Sequence, residues 1–385
     1  MKIGIDARIY GDTGIGRYVS NLISEMEKID TENDYVIFLT KEGNELYHPN
    51  NPKFKKWIVD VTLYSLREQT VFLKELLRAR LDLLHVPHFN IPVFYPRKIV
   101  VTIHDLTMHG SGLKGSSTLP SYMFMLKKLG YYITSNASTY KAEEIMVPTE
   151  AVKKEVSQKL LGAKKEKIKV TYEGVDADLL SLAPSDDKVL RTRLEEMRVT
   201  NPYFLYVGSS YEHKNLRTLI VSYKEWILKS DRKVQLVIAG KVDRFAEQLA
   251  AFVHGLQLDS LVIFAAKYTD NFYVPEKDLA YLYKGALAYV FPSFNEGFSI
   301  TPLEAQAFGI PVLLSNIPTH KEVFGESVLY FDPESTMELS EKLTIIATDQ
   351  DLRQKLIEAG KTNISKYSWH NMASETYETY RRILG

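Results

Sequence analysis

The sequence predicts an α/β protein of two domains, each a doubly wound parallel sheet with helices on both faces. Three observations predict it. Short apolar runs alternate with longer amphipathic stretches along the chain, the pattern of strands buried on both faces and joined by helical crossovers. At 385 residues the chain exceeds what one hydrophobic core ordinarily organises, and about 100–200 residues per domain gives two. After Val170-Thr171-Tyr172-Glu173-Gly174-Val175 the chain also crosses a polar stretch through Ser185-Asp186-Asp187-Lys188, and a second strand series starts at Tyr203.

In chain order, the first series runs through Lys2 to Asp6, a helix near Arg17 to Lys28, then Tyr35 to Leu39, Leu83 to Val86, Ile99 to Thr102 and Glu144 to Val147. The second opens with Tyr203 to Gly208 and continues at Gln235 to Ala239, Val262 to Ala265, Ala288 to Phe291, Pro311 to Leu314 and Val328 to Phe331. The boundary is placed near residue 180, giving domains 1–180 and 181–366. A final run, 367–385, sets Trp369, Met372, Ala373, Thr376, Tyr377 and Tyr380 at helical spacing. It is expected to pack back on the first domain. Two such domains in tandem are expected to face each other across a cleft at the carboxyl ends of their strands, where nucleotides bind.

Composition narrows the chemistry. Hydrophobic residues make up 45% and charged residues 25%, enough apolar material for two cores and no sign of wholesale disorder. The absence of cysteine excludes disulfides, thiolate nucleophiles and Cys-ligated zinc. Asp6 and Arg8 interrupt what would be the apolar stretch of a signal peptide, and no apolar window reaches about 18 residues, so a cytoplasmic location is expected. The net charge is zero but uneven: residues 1–170 hold 25 Lys and Arg against 19 Asp and Glu, and residues 171–385 hold 23 against 29. The basic first half suits an anionic acceptor or a membrane surface, as well as ordinary solvated faces. No dense basic stripe with interleaved aromatics points to nucleic acid.

The richest segment is Pro292-Ser293-Phe294-Asn295-Glu296-Gly297-Phe298-Ser299-Ile300-Thr301-Pro302-Leu303-Glu304-Ala305. A strand ends at Pro292, a loop carries Glu296 and Gly297, and Pro302 is expected as a first helical residue. The unpaired N–H groups and partial positive charge of such a helix start, around Ser299 to Leu303, make a seat for a diphosphate. Glu304 is expected in the first turn, within reach of sugar or ribose hydroxyls.

The two glutamates eight apart, in Glu-Gly-Phe-Ser-Ile-x-Pro-Leu-Glu-Ala, resemble the signature of glycosyltransferase family 4, and the resemblance extends over nearly the whole chain. It implies a GT-B fold and transfer of a hexose from a nucleoside-diphosphate donor. Gly11-Asp12-Thr13-Gly14-Ile15-Gly16-Arg17 looks like the family's glycine-rich loop, with Thr13-Gly14 in place of the usual Gly-Gly pair. Gly14 is thereby assigned to the donor, and Gly16 and Arg17 to the acceptor. His104 and Asp105, in Thr102-Ile103-His104-Asp105-Leu106, take the place of the family's sugar-contacting histidine and its neighbour; both are also assigned to the acceptor. Gly208, Ser210 and Lys214 lie in the strand-then-lysine element, where Lys214 neutralises the leaving diphosphate; His213 stands where many relatives have arginine. Glu296 with His104 grips the donor sugar, Glu304 the ribose, and Gly297, Phe298, Ser299 and Ile300 line the donor. Ala239-Gly240-Lys241 and Ala265 to Asp270 end two strands where relatives hold the base, and Tyr268 is assigned to it.

The same resemblance implies a front-face retaining route in which the departing phosphate oxygen takes the acceptor's proton, with closure of the domains to exclude water. Asp176-Ala177-Asp178 matches a metal-binding Asp-x-Asp, but it belongs to the interdomain element Glu173-Gly174-Val175-Asp176 and is read as structural. His85, His88 and His104 lack a supporting ligand motif, so no metal and no cofactor are expected. Leu119 to Tyr132 combines large apolar residues with Lys127 and Lys128, a pattern shared by an acceptor wall, a peripheral contact with the inner membrane surface and a helix packed on its own domain. The opening Ile-Asp-Ala-Arg and the Gly-Ile-Gly-Arg-Tyr loop look like bacterial mannosyltransferases of surface polysaccharide synthesis, which makes GDP-mannose the expected donor and a saccharide or lipid-linked saccharide the expected acceptor. UDP-glucose, UDP-N-acetylglucosamine and deoxysugar donors remain as alternatives, and a nucleotide-sugar epimerase, a pyridoxal-phosphate phosphorylase and an inactive nucleotide-binding protein are the rival classes.

Overall fold

The computed structural model describes residues 1–11, 14–107, 121–200 and 202–385. Asp12 and Thr13 of the glycine-rich loop, and Leu119 and Pro120 of the apolar segment, lie outside the described residues. The chain divides into two compact units, one ending at Gly174 and regaining the chain at Ser368–Gly385, the other spanning Val175–Tyr367.

In the first unit seven strands form one parallel sheet: β1 (Lys2–Asp6), β2 (Asp34–Leu39), β3 (Phe54–Ile58), β4 (Leu83–Val86), β5 (Lys98–Thr102), β6 (Glu144–Val147) and β7 (Ile168–Val170), in the order β3-β2-β1-β4-β5-β6-β7. The reversal of direction between β1 and β4 is the switch point at which open sheets of this kind gather their functional loops. The central strands are buried along their length: β4 has no exposed residue. β3 and β7 were not among the strands expected from the apolar runs. Both lie at the sheet's edges, where one side of the ladder lacks a partner, and β3 carries Lys55 and Lys56 while β7 has only three residues. The helix Trp369–Leu384 buries Trp369, Met372, Ala373, Thr376 and Tyr380 and packs on the helix Ile15–Ile29.

The second unit has six parallel strands, β8 (Tyr203–Val207), β9 (Gln235–Ala239), β10 (Val262–Phe264), β11 (Ala288–Phe291), β12 (Val312–Ser315) and β13 (Leu329–Phe331), in the order β10-β9-β8-β11-β12-β13. Its switch point lies between β8 and β11. The strands β8 and β9 are so close at their carboxyl ends that a Cβ on Gly240 would stand 2.1 Å from the Gly208 carbonyl oxygen; only glycine fits there. Among the described residues no helix is long and apolar enough to cross a membrane. Of the apolar segment near Tyr132, Met125 and Leu129 are exposed and Tyr131 is buried.

Candidate functional site

In the second unit the loops leaving β8 and β11, which flank the switch point, carry the lysine and the first glutamate. Lys214 closes the short turn Glu212–Lys214, and its ammonium lies 2.6 Å from Glu296 Oε1 and 5.2 Å from the centre of the Phe291 ring. Burial raises the Glu296 pKa, but the Lys214 charge and hydrogen bond outweigh it and hold the carboxyl below its ordinary value. Glu296 is thus an ionised, acceptor-only group, while one of the three ammonium donors of Lys214 is engaged by it. Asn215, at a left-handed φ of 58°, buries its side chain and donates to the carbonyls of Pro292 and Pro333 at 3.1 and 2.8 Å. The His213 carbonyl accepts from the Phe294 N–H at 2.8 Å. The loops after β8, β11 and β13 are therefore tied together by one amide and one backbone bond.

The helix expected after Glu296 is Ile300–Ala307, with Ser299 as its N-cap at φ 77° and no side-chain cap bond. Pro302 is thus the third helical residue rather than the first. It is tolerated because the first turn's N–H groups have no intrahelical partner. The Ser299 hydroxyl, instead of capping, faces His320. His320 Nδ1 lies 2.8 Å from the Ser315 carbonyl, which only accepts, so that nitrogen carries the hydrogen. Nε2, 3.0 Å from Ser299 Oγ, then accepts from the hydroxyl. Burial pushes the His320 pKa down to about 4, which keeps the ring neutral in this arrangement. Thr319 donates to the Glu296 carbonyl at 2.8 Å. Asn215, Thr319 and His320 were missed by sequence reasoning; Asn215 adjoins the assigned lysine, but nothing in the local pattern marks the other two.

The remaining assignments to this unit are distributed unequally. Gly208 has φ 149° and Tyr206 Oη above it, donating to the Ser209 carbonyl at 2.7 Å. Ser210 is partly exposed. Gly297 and Ile300 are partly buried, and Phe298 is 3% exposed with its ring against Tyr367, 5.4 Å between centres. The Phe298 ring is therefore packed inside the unit rather than presented to a ligand. Glu304 sits in the second turn rather than the first and points inward, 1% exposed, accepting from Tyr283 Oη at 2.8 Å. Helical geometry explains the change: with Ile300 as first residue, Glu304 lies more than one full turn on. Tyr268 is exposed at the end of a short turn after β10, beyond β9 from the switch point. Asp176 spends its carboxylate on the Asp178 N–H at 2.9 Å as the cap of the helix Ala177–Ser181.

In the first unit, Gly14 caps the helix Ile15–Ile29 at φ 63°, Gly16 is buried and Arg17 is partly exposed. Tyr18, next on that helix, meets the His104 ring edge-on with centres 4.6 Å apart. His104 Nδ1 lies 3.1 Å from Glu173 Oε1 and Nε2 lies 3.3 Å from the Pro87 carbonyl. Asp105 accepts the Thr107 N–H at 2.8 Å. Beneath them Tyr380, His85, Thr102 and Tyr18 form a buried hydrogen-bonded chain: His85 Nδ1 to Tyr380 Oη, His85 Nε2 to Thr102 Oγ1 at 2.8 Å, and Thr102 Oγ1 to Tyr18 Oη at 3.2 Å. Burial drives His85 down to about 3. At the end of β1, Arg8 grips both oxygens of Asp6 at 2.8 and 2.7 Å, bonds Glu68 and lies over Phe72. Among the described residues no group of three His, Asp or Glu side chains is arranged to hold a metal ion.

Residues 13–179 match the family model Glycosyltransferase Family 4, and residues 193–363 match Glycosyl transferases group 1. Over 305 residues the chain is 25% identical to O-antigen chain mannosyltransferase B of Escherichia coli, covering 78% of this chain and 74% of that one. It is 29% identical over 249 residues to O-antigen chain mannosyltransferase RfbU of Salmonella typhimurium, covering 64% of this chain and about three-fifths of the relative, 60%. The crystal structure of Anabaena HepE in complex with UDP-glucose has a TM-score of 0.76 to this fold, at 15% identity over 99% of this chain and 100% of that one. At that identity the likeness bears on architecture.

Proposed function

Because the chain belongs to the family 4 glycosyltransferases, with the GT-B fold, we propose that it transfers mannose from GDP-mannose, with retention and without a metal, to a saccharide or lipid-linked saccharide acceptor. The observation that carries the reading is the Lys214–Glu296 pair beside the side-chain-free cap of the helix Ile300–Ala307. A diphosphate placed against that helix start meets backbone N–H donors, and Lys214 has further N–H donors for it. Glu296, ionised, accepts from sugar hydroxyls. The ion pair runs through Oε1 and takes one ammonium hydrogen, so both partners keep hydrogen-bonding capacity for a ligand without first being pulled apart.

The proposed step breaks the bond from the anomeric carbon to the diphosphate oxygen and forms one to the acceptor oxygen. The acceptor's proton leaves on the departing phosphate, and the negative charge developing there is what Lys214 and the helix start stabilise. His104 is assigned to a sugar hydroxyl. Glu304 is assigned to the ribose, which it meets only where the donor reaches a carboxylate that is 1% exposed and bonded to Tyr283 through Oε2. Metal independence is supported by Asp176 being committed as a cap. Mannose rests on the names of the two curated relatives.

Thermal-shift screening against GDP, UDP and their sugars tests the donor, followed by mass spectrometry of products with saccharide acceptors. Stabilisation by GDP-mannose and formation of a mannoside with retained configuration are expected. Stabilisation by UDP-sugars alone transfers the reading to a glucosyl or N-acetylglucosaminyl donor, and an altered donor with no acceptor present makes the protein an epimerase.

A further inference from the structure

The structure assigns to Glu173 the job of positioning His104, fixing a hydrogen on Nδ1 and turning Nε2 toward a sugar hydroxyl. This rests on the transferase reading for its catalytic consequence and on geometry alone for the state of the ring. Glu173 is 4% exposed, and a buried carboxylate needs a donor; His104 Nδ1 is 3.1 Å away. Nε2 faces the Pro87 carbonyl at 3.3 Å, an atom that only accepts. With Nδ1–H donated to the Glu173 carboxylate, the ring is held so that Nε2 is the nitrogen presented beside Pro87. The Nε2 contact is the longer of the two, and it is the one a sugar oxygen can replace.

The surroundings hold this pair in place. Gly174 follows Glu173 directly, and a Cβ there would stand 2.3 Å from the Trp369 nitrogen and 2.7 Å from the Ser368 carbonyl carbon, so the backbone beside Glu173 is wedged against the start of the last helix. Tyr18 stands edge-on to the ring from the helix Ile15–Ile29. Among the described residues, the titratable groups facing His104 are Glu173 at the exit of β7, His85 on β4 and His88 after it, Tyr18, and Asp105 on its own loop. His85 is neutral because burial takes it to about 3. Within that set Glu173 is the carboxylate in contact with the ring, and a glutamine there would supply no charge and present either an oxygen or an N–H to Nδ1.

The test uses the full chain with ¹⁵N-labelled histidine, the His104 signals being identified by their loss in His104→Gln. Hydrogen on Nδ1 is expected in the unmodified protein, and its redistribution between Nδ1 and Nε2 in Glu173→Gln. In steady-state assays Glu173→Gln is expected to lower kcat by about tenfold or more with donor KM and melting temperature little changed, and Glu173→Asp to restore part of the loss. An Nδ1 without hydrogen in the unmodified protein, or unchanged ring signals in Glu173→Gln, overturns the proposal, as does full kcat in Glu173→Gln. Because the ring signals are read without turnover, they test the pair even in a protein that transfers no sugar; Glu173→Asp supplies the comparison should the glutamine variant fail to fold.

Discussion

Lys214 and Glu296 are each mostly buried, and each offsets the cost of desolvating the other. Removing only the cation strands a carboxylate: Lys214→Ala is expected to cost the second unit about 3 kcal/mol and to weaken nucleoside-diphosphate binding at least tenfold. The double variant Lys214→Met/Glu296→Leu is expected to recover most of the stability and none of the activity. Thermal denaturation beside calorimetric titration with GDP separates the two effects, and equal loss of stability in single and double variants would refute the pair's role. Glu296 has a lowered folded-state pKa, so the stability from this pair is present above the ordinary carboxylate range and is lost as pH falls through the lowered value. The buried histidines act earlier. His85 and His320 are depressed to about 3 and about 4 by desolvation. As pH falls below about 6.5 the unfolded chain gains protons that the native rings refuse, and at pH 5 this amounts to about 2 kcal/mol per histidine. Chemical denaturation at pH 7 and pH 5 checks it: His320→Gln should weaken the dependence in the second unit and His85→Gln in the first, where His88, which burial likewise lowers to about 3, keeps part of it.

Between residues and sheet stand the loops, and here the ordering groups are amides, hydroxyls and one imidazole rather than apolar contacts. Asn215 holds two carbonyls from separate loops, and Thr319 with His320 holds the backbone of Glu296 and the cap of the next helix. Asn215→Ala leaves both carbonyls without their donor, at a cost of about 1–3 kcal/mol. Since the loops after β8, β11 and β13 lose their shared tie, nucleotide affinity is expected to fall more than stability does. Asn215→Asp, which keeps the shape but loses the donor, should behave like the alanine variant; near-native affinity in both would show that the loops are held by other means.

At the scale of the molecule, the second unit is continuous among the described residues, while the first is completed by a helix that returns from the far end of the chain. That helix provides Tyr380 to His85 and Trp369 to the wedge beside Gly174. Ending the chain at Tyr367 is expected to unfold the first unit and leave the second able to bind nucleotide, as limited proteolysis and titration would report. Activity is expected to survive chelators, and Asp178→Ala to leave it nearly unchanged, since Asp178 is exposed and Asp176 is a helix cap. Chelator inactivation reversed by manganese would make the Asp-x-Asp segment a metal site.

The sequence by itself determined the two sheets, most of their strands and the family motif, because a buried strand, an amphipathic helix and a cap each depend on residues a few positions apart. It determined which loops bear Lys214, Glu296 and His104 for the same reason. Only the tertiary structure decided what those side chains meet: Lys214 finds Glu296 across 82 positions and His104 finds Glu173 across 69. Edge strand β3 hid behind its lysines, and Glu304 faced inward because the true first residue of its helix is set by the backbone at Ser299. Separations of that length are closed by the packing of whole elements, and no local pattern records which groups the packing will bring within a hydrogen bond.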